Sequence, residues 1–104
     1  MEPKIILEEI VNRDHLDYKI VCYGAKTEDD FYSVWFTFSC KNPRGNKWTK
    51  PSMGDLFTKV PSNEVSYTVS RMRKSWMKSI DSIERTRRNI DFYRKAGRKN
   101  DSKV

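Results

Sequence analysis

Two stretches near the start of the chain are dense in β-branched and aromatic residues, DYKIVCYGA over 17–25 and FYSVWFTFSC over 31–40, and the acidic KTEDD separates them. They predict a β-hairpin. With Cys22 facing Val34, Ile20 faces Phe36, Tyr18 faces Phe38 and Leu16 faces Cys40. Every one of those pairs is apolar or aromatic, so this register makes one continuous buried face. The other face then carries Phe31 and Trp35 among Ser33, Thr37 and Ser39, across from Lys19, Val21 and Tyr23.

Upstream, KIILEEIV fits either a third strand or a short helix opened by Pro3, because each face of a strand would carry a glutamate, Glu8 or Glu9. The short NRDH connection favours the strand, and with it a meander. Downstream, Pro43, Gly45 and Asn46 mark a turn, and a short fourth strand is expected around Trp48.

Beyond VPSN the period changes. At about 100° per residue, Val65, Val69, Met72, Trp76, Ile80, Ile83 and Ile90 fall within an arc of about 80°, with Arg71, Lys74, Lys78, Arg85 and Arg88 opposite. Ser62 is a candidate N-cap, Glu64 suits the first turn and Gly97 is a natural stop. EVSYTVS also alternates as a strand would, which leaves the helix start near either Ser62 or Ser70. Val69, Trp76, Ile83 and Ile90 are spaced by seven, the seam of a possible homodimer through the long helix.

The expected architecture is α+β, an antiparallel three- to four-stranded meander followed by one long C-terminal amphipathic helix. It forms a single domain over 1–97, with the sheet in 1–52, the helix in 62–97 and a flexible basic tail over 98–104. A helix from Asn63 to Ala96 is about 50 Å long, whereas such a sheet is only about 20–25 Å across. Its C-terminal half must overhang, bend or find a partner. Val65–Ile83 is the packed half, and Glu84–Lys99 the working half.

Charge sharpens this division. The chain has 104 residues and a formal charge of +7. From Arg71 onward twelve Lys and Arg stand against four acids, +8, while the first seventy residues carry nine basic and ten acidic groups, −1. That asymmetry points the C-terminal third at an anionic partner, with nucleic acid, DNA or RNA, ahead of an acidic protein surface, and anionic lipid last. Arg85, Arg88, Arg94, Lys95, Arg98 and Lys99 are candidate phosphate contacts, extended along the helix back by Lys74 and Lys78, with Phe92 and Tyr93 placed to pack on sugar or base. The bland alternative is a solvated helix face. A second candidate is the loop in which Lys41, Arg44, Lys47 and Lys50 surround Trp48, a basic-aromatic mixture that clamps a phosphate backbone and stacks a base. Its alternative is a hairpin tip whose Trp folds back on the core. A third is the outer sheet face, either a stacking platform for single strands or a surface covered by residues 1–11 or a second subunit.

VSYTVSRM resembles the recognition-helix stretch of lactose-repressor-type helix-turn-helix proteins over Val65–Arg71, one residue short between Tyr67 and Thr68 and without the small-residue turn. The resemblance implies that Ser66, Tyr67 and Arg71 point into a major groove.

Other chemistries find little in the chain. In the hairpin register Cys22 and Cys40 lie about 20 Å apart, too far for a disulfide, so two free buried thiols and a reducing compartment are expected. One His and no Cys pair at ligand spacing argue against zinc, and no other metal or cofactor is indicated. No phosphate loop, nucleophile elbow or His-Cys arrangement is present, neighbouring carboxylates such as Asp29 and Asp30 point to opposite faces, and His15 reads as a solvated turn residue. We expect no enzyme. The N-terminus breaks its apolar run with two glutamates, unlike a signal peptide, and no run approaches a membrane span. The expectation is an intracellular, soluble, cytoplasmic or nuclear protein that binds nucleic acid without catalysis, of the build of a viral or phage accessory factor. The alternative is an inhibitor or adaptor docking its basic helix on an acidic host protein.

Overall fold

The computed structural model describes residues 2–101, with side chains through Arg94. Four strands, β1 (Lys4–Asn12), β2 (Asp17–Glu28), β3 (Phe31–Lys41) and β4 (Ser52–Pro61), form one antiparallel sheet in the order β1-β2-β3-β4. A 3₁₀ turn, Ser62–Glu64, leads directly into the single long helix α1 (Val65–Asp101). This is the expected meander followed by a helix.

Within it, three local expectations are corrected. The hairpin register is displaced by two residues: Cys22 pairs with Phe36, Ile20 with Phe38 and Tyr18 with Cys40. A two-residue slip preserves side-chain parity, so the buried face contains the expected residues even though their partners differ. The cause is the turn and the bulge beside it. Glu28 pairs with Phe31, leaving only Asp29 and Asp30 as the loop, with Asp30 at a left-handed φ of 64°, which aspartate tolerates, and a one-residue shift between Lys26 and Glu28 then sets the register of the remaining pairs. In this register Cys22 and Cys40 are four residues apart along one face, about 13 Å rather than 20 Å, still beyond disulfide reach. Both are free; Cys22 is buried, which pushes its thiol up to about 11, and Cys40 is half-buried.

The fourth strand is Ser52–Pro61, and Trp48 lies in the loop before it. Two register shifts against β3 and a left-handed Lys59, φ 55°, break the alternation that would have marked β4 in the sequence. The helix begins at the earlier of its two possible starts, but Ser62 does not cap it: the side chain makes no cap bond, and its backbone N–H donates to the Asp30 carbonyl at 2.8 Å. Nor does Gly97 end the helix, which continues to Asp101. The tail expected from 98 onward is thus helical in backbone as far as Asp101, and residues 102–104 lie outside the described residues.

One face of the sheet packs against α1. Leu7, Tyr18, Ile20, Cys22, Val34, Phe36 and Phe38 meet Val69, Met72, Trp76, Ile80 and Ile83 in the core. The helix runs along the strands. Val65 starts beside Tyr32 and Gly24, Trp76 stacks on Phe38 (centroids 4.8 Å, 11° between planes), and Glu84 reaches Tyr18 near the start of β2. Glu9 turns to this face and accepts two hydrogen bonds from Arg73, at 2.6 and 2.7 Å, which hold its carboxyl below the usual carboxylate range. That resolves the ambiguity of EE in β1, since Glu8 pairs across from Val21 on the opposite face.

Gly54 in β4 makes room for this packing, because a Cβ there would overlap the Trp76 ring. Gly54→Val is therefore expected to cost about 1–3 kcal/mol by forcing the ring off Phe38. Thermal denaturation measures the loss, and near-UV circular dichroism reports the broken stack.

Candidate functional site

The turn between β1 and β2 grips the helix where it leaves the sheet. Arg13 Nε lies 3.5 Å from Asp81 Oδ1. The His15 backbone N–H donates to Glu84 Oε1 at 3.0 Å, and the ring Nδ1 lies 3.2 Å from the same oxygen. His15 Nε2 lies 3.1 Å from Asp91 Oδ2, and the Tyr18 hydroxyl donates to Glu84 Oε2 at 2.6 Å. A neutral imidazole donates through only one nitrogen, so both ring contacts are hydrogen bonds only in the imidazolium form.

Glu84 is the centre of this clasp and only 4% exposed. Burial alone would push its carboxyl up, but the hydrogen bonds from Tyr18 and His15 outweigh that and hold it below its ordinary value. The Tyr18 phenol is displaced upward, first by burial and then by donating to the carboxylate. His15 is thus not the solvated turn residue expected. It is half-buried between two carboxylates, which it bridges and does not converge with, and among the described residues no group of His, Cys, Asp and Glu is arranged to hold a metal ion.

The clasp sorts the charges of the helix. Asp81, Glu84 and Asp91, the acids expected to dilute its positive field, all face the β1–β2 turn and are engaged there. Arg85, Arg87, Arg88 and Arg94 are exposed and form no ion pair among the described residues. Arg85 and Arg88 flank one side of the turn beside Asn12 and Asp14, and Arg87 and Arg94 flank the other beside His15. Ile90 is exposed here, beyond the sheet, and so are Phe92 and Tyr93, whose rings meet edge to face at 5.7 Å.

The remaining candidates are distributed over the molecule. Lys74 and Lys78 are exposed on the helix back, in line with Arg85 and Phe92. Lys95, Arg98 and Lys99 continue the helical backbone, with side chains outside the described residues. Arg44, Lys47 and Lys50 are exposed on the β3–β4 connection, where Asn42 closes a tight turn by accepting from the Arg44 and Gly45 backbone N–H groups. Trp48 does not project with them. It is half-buried against the outer sheet face, with the ammonium groups of Lys19 and Lys41 at 5.0 and 5.5 Å from its ring centroid. Lys41 also pairs with Asp17 at 2.8 Å. Trp48 and Lys50 line the outer face of the sheet and α1 covers the other, so these two candidates do not share the grooves lined by the helix arginines.

The helix-turn-helix resemblance has no structural counterpart: Val65–Arg71 opens α1 after a strand and one 3₁₀ turn, Val69 is buried on the sheet, and α1 is the only α-helix among the described residues. No helix among them is long and apolar enough to cross a membrane. The Glu84 clasp was invisible in the sequence, where a glutamate in a basic run reads as surface. A faint signal existed in Asp81, Glu84 and Asp91, whose spacing places all three on one flank of a helix. No protein-family model, curated protein or solved structure matches this chain.

Proposed function

We propose that the protein binds nucleic acid without catalysis, using the exposed arginines of the projecting part of α1 to contact phosphates. The observation that supports this reading is the sorting of charge: the β1–β2 turn takes up Asp81, Glu84 and Asp91, and Arg85, Arg87, Arg88 and Arg94 are left without ion-pair partners among the described residues. Guanidinium groups in this state are the natural ligands of phosphate oxygens, and an exposed helix fits the major groove of a duplex. Lys74 and Lys78 extend the positive edge back along the same helix. Arg44, Lys47 and Lys50, on the β3–β4 connection, are a separate contact set.

A second reading has its own support. Ile90, Phe92 and Tyr93 are exposed beside the arginines, a mixture that suits an acidic protein surface with an apolar pocket. Salt-dependent fluorescence anisotropy with single- and double-stranded oligonucleotides separates the two. If each of four arginines meets one phosphate, the log–log salt slope is about −3.6 for duplex DNA and about −2.8 for a single strand. No binding at low salt would sink the nucleic-acid reading, and a partner retained from nuclease-treated lysate would then support the adaptor.

A further inference from the structure

The sheet's outer face is the largest feature that the helix arginines leave unexplained. Ile5, Ile10, Met53 and Leu56 are 57, 54, 60 and 50% exposed. They pair across from Tyr23, Lys19, Thr37 and Trp35 respectively, which places all four on the face turned away from α1. Of residues 1–11, one of the expected covers, 4–11 belong to β1, an edge strand of the sheet itself, and lie beside this face instead of over it. Among the described residues Trp48 covers only one end, near Lys19 and Val21.

We propose that a second copy of the chain docks here, the two sheets packing face to face about a two-fold axis with both helices turned outward. Three observations select this occupant. The Tyr23 and Trp35 rings stack on each other, with centroids at 5.7 Å and 18° between planes. Each therefore spends a ring face on its neighbour, an arrangement suited to packing in a sheet-on-sheet core and poorly suited to stacking bases.

The size also fits. Four strands about 4.8 Å apart, over about nine residues at about 3.3 Å each, present about 570 Å² per copy, so a pair buries about 1,100 Å², just above the lower limit for a specific interface. Finally, a two-fold interface must carry both charges on one patch. Glu8 and Lys19 lie on this face and line one shallow groove, so each has an opposite charge available on the symmetry-related copy. The excess of positive charge sits on α1, on the far side of each sheet, where pairing does not bring the arginines of the two copies together.

Of the helix's heptad positions, Val69, Trp76 and Ile83 already face the sheet, which leaves Ile90 as the exposed one.

Sedimentation of the nuclease-treated full chain at high salt, over a wide concentration range, tests the proposal. The expected result is a reversible monomer–dimer equilibrium, whereas binding to phosphates weakens at the same salt. The double variant Ile10→Asp/Leu56→Asp is expected to raise the dimer dissociation constant more than about 100-fold, since each carboxylate would be buried against an apolar face. Its circular dichroism and melting at low concentration should match those of the unmodified monomer, because both side chains are already half exposed. Arg87→Ala/Arg94→Ala should dimerise normally. A chain that stays monomeric throughout, or a dimer that survives the double variant, overturns the assignment.

Discussion

Replacing Glu84 with alanine is expected to lower the unfolding free energy by about 3–4 kcal/mol, the largest loss anticipated for any polar side chain here. The carboxylate accepts from the Tyr18 hydroxyl, the His15 backbone N–H and the His15 ring. Alanine would leave the Tyr18 hydroxyl, inside the core, with no acceptor, and each such orphan costs about 1–3 kcal/mol. In a domain of this size the melting temperature should fall by about 15–25 °C. Tyr18→Phe removes one donor and should cost less, about 1–2 kcal/mol, and the Glu84/Tyr18 double variant should fall short of the sum. Glu84→Gln keeps the shape but presents an amide N–H₂ to one of the two donor sets, so it should lie between wild type and alanine. Equal melting of Glu84→Ala and wild type would show that the clasp contributes nothing to the fold.

The same group sets an acid limit. Because the folded-state pKa of Glu84 is held below its unfolded value, its contribution is complete above the unfolded carboxyl value, about 4.3, and disappears as pH falls through the folded value. Glu9, held down by Arg73, acts in the same direction. Thermal melts should therefore be level from neutral pH to about 5 as far as these two groups are concerned, and fall steeply below 4. In Glu84→Gln the acid-side slope should be shallower, since one of the two linked protons is gone.

The second large effect concerns binding. Replacing Arg85, Arg87, Arg88 and Arg94 together with alanine is expected to weaken oligonucleotide affinity at low salt by at least about 100-fold, and to reduce the salt slope by about three units. None of the four is buried or ion-paired among the described residues, so stability should hardly change. Lys74→Ala/Lys78→Ala should cost less and flatten the slope by about one to two units if duplex DNA lies along the whole helix. Equal losses from Arg44→Ala/Lys47→Ala would move the contact to the β3–β4 loop. If the four-arginine variant binds as wild type does, the projecting helix is not the phosphate site.

The meander and the two-faced helix were legible because their signals are periodic. In β2 and β3 every second residue is apolar, and in α1 the apolar positions recur at the helical period, so each element announces which face it buries. The partner of each buried residue was not legible. A slip of two residues leaves every side chain on the same face, and the two-residue loop with its left-handed Asp30, together with the bulge between Lys26 and Glu28, selected the actual register. The fourth strand was expected around Trp48 and lies instead at Ser52–Pro61, where Lys59 and two register shifts interrupt its alternation. The helix overhang followed from length, but the sheet's narrow width was the wrong yardstick, since α1 runs along the strands and not across them.

By itself, then, the sequence determined the elements, their inward faces and the place where positive charge accumulates. Only the tertiary structure decided which of those charges are spent. Such contacts depend on distances of 3 to 4 Å, and the groups that engage Asp81, Glu84 and Asp91 come from Arg13, His15 and Tyr18, more than sixty residues away along the chain. No local pattern encodes such a meeting. It arises because the β1–β2 turn and the departing helix share one end of the sheet, and the arginines beside that turn are left without ion-pair partners among the described residues.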